Sequence, residues 1–348
     1  MAKDDLNVVL IGAGAVGGTV AGWLSPHYEN FYVLGRPYLN EKLRKDGILV
    51  YEQGKKEQTK AIPVRCIDDL EEVDHVDLLV IAVKNYSLDE VCQTVKDKVT
   101  KETIVVGLQN GIENQEILPK YFKKVVYGVI CYNSWVDEPG VIGYQSKGPI
   151  IVGIKELYLK SELILVKKLF NLGFEAISTD QLDNVTHSKL ILNLTNSFTT
   201  LIGLHELDDM KDFRLIKNIL SNLLYEGVQI VKAANYQESR LGGLPSWFSI
   251  TAVVKLPNFL TDGMFKRNLG KMKISSMGQD VFKRGSSETE VESINGYLLR
   301  LADKNQVSAP YNQAVYKLCK KEFQTSPFKP LNVKEVWRKV EEEKQLVK

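Results

Sequence analysis

Along the first half of the chain, short unbroken apolar runs alternate with segments whose apolar residues recur at helical spacing. "NVVLIG", "FYVLG", "DLLVIAV" and "TIVVGLQ" are runs of the first kind. Continuous rather than alternating apolarity marks strands covered on both faces, as in a parallel sheet. A helix through "VAGWLS" separates the first two runs, and another around Leu88 to Val95 separates the last two. "KVVYGVI" and "IIVGI" extend the sheet, with antiparallel members near its edge. A strand-helix-strand order from the first residues predicts a doubly wound α/β domain.

After about Asp180 strand signals nearly vanish. Apolar positions recur at helical spacing through "LIKNILSNLLYEGVQIVKAA", "ESINGYLLRLADK" and "NQAVYKLCKKEF", with "LGGLPSWF" and "KLPNF" read as loops. The tail "VKEVWRKVEEEKQ" reads as a charged surface helix. The expected organisation is an α/β Rossmann-type domain over residues 1–180 followed by an all-α domain over residues 181–348.

One helical stretch breaks the apolar pattern. "SKLILNLTNSFTT" combines Leu190, Ile191, Leu192, Leu194 and Phe198 with Lys189, Asn193, Asn196, Ser197 and Thr200. At about 100° per residue, Asn193, Asn196 and Thr200 all fall within about 40° of Lys189, whereas Ser197 lies about 80° away. An amphipathic helix wetted on its polar face would look similar. This face, however, is rich in amides, carries one charge and begins at the junction of the expected domains, where ligand clefts concentrate. A lysine so placed can hydrogen-bond a ketone oxygen and protonate it, and partial burial would lower its pKa toward neutrality.

Charge and cysteine content remove several alternatives. Lys and Arg total 45 against 43 acidic residues, and this net charge of +2 creates no field for nucleic acid or a membrane. Cys66, Cys92, Cys131 and Cys319 form no CxxC and join no histidine cluster, so neither a metal site nor a disulfide framework is expected. The N-terminal "MAKDDLNVVLIGAGAVGG" does not read as a signal peptide, and no run of apolar residues is long enough for a membrane span. A reducing compartment, the cytoplasm, is the expected location.

Gly12, Gly14 and Gly17 spell G-x-G-x-x-G between a strand and a helix, with Ala13, Ala15 and Val16 completing the turn. The first glycine permits the tight turn, the second lets the backbone approach a pyrophosphate, and the third lets helix pack on strand. The helix N-terminus then offers N–H groups to the phosphates. At the end of the second strand, "VLGRP" places Arg36 where an acidic residue would select a free ribose 2′-hydroxyl. An arginine there suits a 2′-phosphate, so NADP(H) is expected rather than NAD(H). Lys84 and Asn110 stand just past the carboxyl ends of two further strands, where ligands of open α/β sheets bind.

These motifs resemble the ketopantoate reductase (2-dehydropantoate 2-reductase) family over most of the chain. The markers are "GAGAVG", "LGR", "VK" at Lys84, "QNG" at Asn110, "KLILN" at Lys189, "SSMGQD" and "TEVESINGYLL". The resemblance implies that Lys189 is the proton donor and that Ser276 binds the substrate carboxylate. It implies that Glu290 contacts the substrate hydroxyl and the cofactor, and that Asn193, Asn196, Ser197 and Asn110 line the site. Read singly, Ser275 and Ser276 could be helix-cap serines, and Glu290 could belong to the charged run "SSETEVE". The resemblance also places Asn295-Gly296 on a helix facing inward, as a packing feature.

The sequence departs from the family at the substrate end. Ser197 and Lys273 stand where asparagines are usual, and "LIGLHELDDM" replaces a proline-rich turn. The expected activity is NADPH-dependent reduction of 2-dehydropantoate to pantoate. The alternatives are another 2-oxo acid or a non-catalytic NADP(H) sensor. The expected partner is a small 2-oxo acid, and the resemblance allows a monomer or a homodimer.

Overall fold

The structure, a computed structural model, describes residues 6–204, 212–240, 245–269, 274–283, 285, 288–325 and 327–346. The chain divides into two compact units, Met1–Leu182 and Asp183–Lys348.

The first unit is built on eleven strands: β1 Val8–Ile11, β2 Phe31–Leu34, β3 Leu49–Glu52, β4 Arg65–Ile67, β5 Leu78–Ile81, β6 Ile104–Gly107, β7 Lys124–Ile130, β8 Ser134–Glu138, β9 Val141–Tyr144, β10 Ile150–Gly153 and β11 Ala176–Thr179. Eight of them form one sheet in the order β11-β10-β7-β6-β5-β1-β2-β4. The strands from β7 to β4 pair in parallel. β10 runs antiparallel to β7, and β11 runs parallel to β10, so the expected antiparallel members lie at one edge. Every residue of β1, β5 and β6 is buried, as continuous apolarity requires. Helices α1 Ala15–Leu24, α2 Pro37–Asp46, α3 Leu88–Val95, α4 Asn114–Ile117 and α5 Lys160–Phe170 connect the strands.

A second sheet, β3-β9-β8, was not expected from the sequence. It packs on α1, and two glycines of that helix make room for it. A Cβ on Gly18 would stand 2.6 Å from Ile142 Cδ1, and one on Gly22 would stand 2.3 Å from Val50 Cγ2. The segment Cys131–Trp135 belongs to this packing. Tyr132 OH lies 2.7 Å from Thr19 Oγ1, and Trp135 Nε1 donates to Tyr51 OH at 3.2 Å.

The second unit is helical: α6 Leu182–Leu201, α7 Phe213–Ala233, α8 Trp247–Lys255, α9 Asn258–Leu269, the short α10 Ser276–Gly278, α11 Tyr297–Lys304, α12 Pro310–Glu322 and α13 Val333–Leu346. Its core is drawn from Ile191, Leu194 and Phe198 of α6 and Ile219, Leu223 and Ile230 of α7, all fully buried. Burial of each such side chain is worth about 1.5–3 kcal/mol. Gly227 lets the two helices approach, since a Cβ there would stand 2.7 Å from Leu194 Cδ1. Buried Lys217 donates to Asn258 Oδ1 (3.0 Å), Thr261 Oγ1 (2.6 Å) and Asp262 Oδ1 (2.5 Å), which ties α9 to α7.

Three readings of the sequence need correction. Trp247 and Phe248 open α8 rather than ending a loop, because Ser246 caps that helix by accepting the Ser249 N–H. "KLPNF" is only a break at Leu256–Pro257 between α8 and α9, where proline cannot continue a helix. The tail is a helix as read, but not all its charges lie on a wet face: Glu343 is buried against Lys317, and Val333, Val336 and Val340 are buried as well.

Candidate active site

In the first unit, the predicted cofactor residues gather at the carboxyl ends of β1, β2, β5 and β6. The strand order reverses between β1 and β5, the place where ligands of open α/β sheets bind. Gly12 has φ +92°, a conformation open to glycine, and its N–H donates to Leu34 O at 3.0 Å. A Cβ on Gly17 would stand 1.8 Å from Gly12 O, so that position admits no side chain. A Cβ on Gly14 would meet nothing within 4 Å. Gly14 also begins α1 without a side-chain cap, and the first turn of α1 holds no acidic residue. The tight turn, the open approach and the close packing thus fall on the three glycines in the order a pyrophosphate site requires. Ala13, Ala15 and Val16 complete this turn, and Arg36, exposed, occupies the residue before α2, just past β2, without a side-chain bond to that helix's start.

Lys84 and Asn110 stand at equal offsets past Ile81 and Gly107, which are partners in the β5–β6 register. Two amides outside the predicted set join their loops. Asn85 donates from Nδ2 to Asn110 O, and Gln109 donates from Nε2 to Ile81 O at 2.7 Å. Asn85 Oδ1 is buried without a partner among the described residues. The only sequence signal for either amide was its place beside a predicted residue at a strand end.

In the second unit, α6 runs unbroken through Lys189, Asn193, Asn196 and Thr200. Lys189 and Asn196 are half-buried, and Asn193 and Thr200 are buried. Asn193 Nδ2 is enclosed without a partner among the described residues. Thr200 Oγ1 reaches Ser275 Oγ at 3.3 Å, bringing the polar face of α6 to the start of α10. The adjacent serines there divide their work. Ser275 caps α10 by accepting the Gly278 N–H at 3.0 Å, whereas Ser276 Oγ donates to Glu290 Oε2 at 3.2 Å. Glu290 is only 2% exposed and so is no part of a solvated charge run.

Ser197 stands apart from this group. It is fully buried, its Oγ donates to Leu194 O at 2.9 Å, and its carbonyl accepts the Cys319 thiol. Lys273 and residues 205–210 of "LIGLHELDDM" lie outside the described residues.

A doubly wound sheet with this glycine turn, joined in one chain to a helical unit that pairs a half-buried serine with a buried glutamate beside a lysine- and amide-bearing helix, defines a dinucleotide-dependent oxidoreductase. Comparison with known proteins carries this further: the chain belongs to the ketopantoate reductase family. The model described as ketopantoate reductase PanE/ApbA matches residues 8–156, and that of its C-terminal part matches residues 181–322. The 2-dehydropantoate 2-reductase of Pyrococcus horikoshii is 26% identical over 322 residues, covering 90% of this chain and 97% of that protein. The enzyme of the same name from Aquifex aeolicus is 25% identical over 334 residues, covering 90% and 96%. Among solved structures, a PanE/ApbA family ketopantoate reductase from Ralstonia eutropha JMP134 shares the fold with a TM-score of 0.72 at 20% identity, covering 91% of this chain and 100% of that one. D-mandelate dehydrogenase, solved with NADH and anilino(oxo)acetate, gives 0.71 at 17% identity, covering 97% and 99%. The protein is accordingly an oxidoreductase acting on a CH–OH or C=O group, with NADP(H) as the family's cofactor.

Proposed function

We propose that the protein reduces 2-dehydropantoate to pantoate with NADPH and that Lys189 donates the proton. The observation that carries this reading is the hydrogen bond from half-buried Ser276 to buried Glu290, reached from α6 through Thr200 and Ser275. Residues 12–17, Lys84, Asn110 and Arg36 would hold the cofactor, with Arg36 at the 2′-phosphate. When bound, the cofactor supplies a hydride to a carbonyl carbon. In this reading Lys189 hydrogen-bonds the carbonyl oxygen and protonates it as it becomes an alkoxide. Ser276 fixes the substrate carboxylate, so that the carbonyl is held in one orientation. Glu290 accepts from the nascent hydroxyl, and Asn193 offers its enclosed Nδ2 as a neutral donor. A homodimer is compatible with this reading, since a Staphylococcus aureus ketopantoate reductase of the same fold is described as dimeric.

A second reading keeps the chemistry and changes the acid. It is favoured by the likeness to D-mandelate dehydrogenase, seen with anilino(oxo)acetate, and by Ser197 standing in the core where the family usually has a site asparagine. NADPH absorbance followed with 2-dehydropantoate and a panel of aliphatic and aromatic 2-oxo acids separates the two. Highest kcat/KM on 2-dehydropantoate is expected. Turnover confined to another acid would select the second reading, and turnover on none would leave a cofactor-binding sensor. In the same assay, Arg36→Ala should raise the KM for NADPH by about tenfold or more, a loss of about 1.4 kcal/mol. The KM for NADH should change little; equal changes for both cofactors would remove Arg36 from the 2′-phosphate.

A further inference from the structure

π-Helical turns are rare and recur at functional sites. Two are present among the described residues, Gln279–Lys283 and Glu292–Gly296, and each begins just after one member of the Ser276–Glu290 pair. In the second, the Tyr297 N–H reaches back to Glu292 O, the wide spacing of a π turn. Glu290, two residues before the turn, is tied to it through its carbonyl, which accepts the Ile294 N–H at 3.0 Å and the Ser293 hydroxyl at 3.2 Å. The position of Glu290 therefore depends on how this turn is held.

It is not held by its interior amide. Asn295 is fully buried, and neither Nδ2 nor Oδ1 finds a partner among the described residues, which is unfavourable. The restraint comes from outside. The Glu292 side chain folds back over Gly296, where a Cβ would stand 2.5 Å from Glu292 Oε1. Its Oε1 accepts from Arg300 Nη1 at 2.6 Å; its Oε2 accepts from Tyr316 OH at 2.7 Å and from Lys320 Nζ at 3.5 Å. An isolated exposed ion pair restrains little, but three donors from two helices converge here on one carboxylate. Gly296 is thus small because the pinning side chain crosses it.

We propose that Glu292 is a positioning residue: by tying the π turn to Arg300, Tyr316 and Lys320, it sets where Glu290 presents its carboxylate. The inference rests on the reading that Glu290 contacts the substrate. Glu292→Gln, Tyr316→Phe and Glu290→Gln test it side by side, with kcat expressed per NADPH-binding site titrated by fluorescence. Glu292→Gln should lower kcat by about tenfold or more, the cost of a small misplacement, while the KM for NADPH is unchanged. Tyr316→Phe should lower kcat by a smaller factor in the same pattern. A merely structural role would lower the melting temperature and the number of titratable sites but leave kcat per site alone. Wild-type kcat per site in both variants would overturn the inference, and if Glu292→Gln does not fold, Tyr316→Phe decides alone. Wild-type kcat in Glu290→Gln would sink the reading of Glu290 itself. A slow Glu290→Gln beside two unaffected positioning variants would sink only the role of Glu292.

Discussion

Ser275 and Ser276 are neighbours of the same type, yet one caps a helix and the other meets a buried carboxylate. A sequence names both as candidates and cannot rank them, because the difference lies in a glutamate fourteen positions away. Ser197 shows the converse. Helical phase already placed it off the face of Lys189, and the structure turns its hydroxyl to the preceding turn of α6. We therefore expect Ser197→Ala to leave kcat and KM within about twofold, since only a hydroxyl bonded to its own helix is lost. Asn193→Ala should raise the KM for the 2-oxo acid by about tenfold, the worth of one donor to a charged group. Steady-state kinetics on both variants checks this, and a larger effect at Ser197 than at Asn193 would reverse their assignment.

At the scale of elements, the glycine turn was legible because its constraints are local. Strand, turn and helix lie within seventeen residues of β1's start, and Gly12 and Gly17 answer to neighbours in that stretch or just past β5, while Gly14 faces open space. The β3-β9-β8 sheet was not legible, since it pairs Leu49–Glu52 in parallel with Val141–Tyr144 and no local pattern announces such a distant partner. The braces at Asn85 and Gln109 escaped notice for the same reason, as each joins loops from different strands. The glycines offer a sharp contrast. Gly17→Ala places a methyl against Gly12 O and should destabilise the protein by about 3 kcal/mol or more, read by chemical denaturation. Gly14→Ala meets open space, so it should keep stability within about 1 kcal/mol. It should nevertheless weaken NADPH by about tenfold or more, because the methyl fills the backbone's approach to a pyrophosphate. Equal stability of the two variants would contradict the packing described for α1.

At the scale of the whole molecule, the two units have cores of different kinds, and the family models match a part of each. The fold class was readable because continuous and helical periodicities occupy separate halves of the chain; the tertiary anchors within each half were not. Glu226 of α7 is one such anchor. It accepts the Tyr311 N–H at 3.0 Å and the Asn312 N–H at 2.9 Å, at the start of α12. Burial pushes its carboxyl up from 4.5 to about 7, against the pull of these N–H donors. Between those values the folded state keeps a proton that the unfolded chain releases. The stability from this group is full below about pH 4.5 and is lost as pH rises through about 7. Relative to Glu226→Gln, the wild type should lose on the order of 3 kcal/mol of unfolding free energy across that window and then level off. A difference that stays constant from pH 4.5 to 7 would contradict the assignment.

The central claim is that the ammonium group of Lys189, on the polar face of α6, protonates the reduced carbonyl. It is tested most directly by single-turnover reduction of 2-dehydropantoate, comparing wild type with Lys189→Ala at saturating NADPH. A rate lower by about two to four orders of magnitude, with NADPH still bound at wild-type affinity, is the predicted result. A Lys189→Ala enzyme that reduces the substrate at a near-normal rate would contradict it.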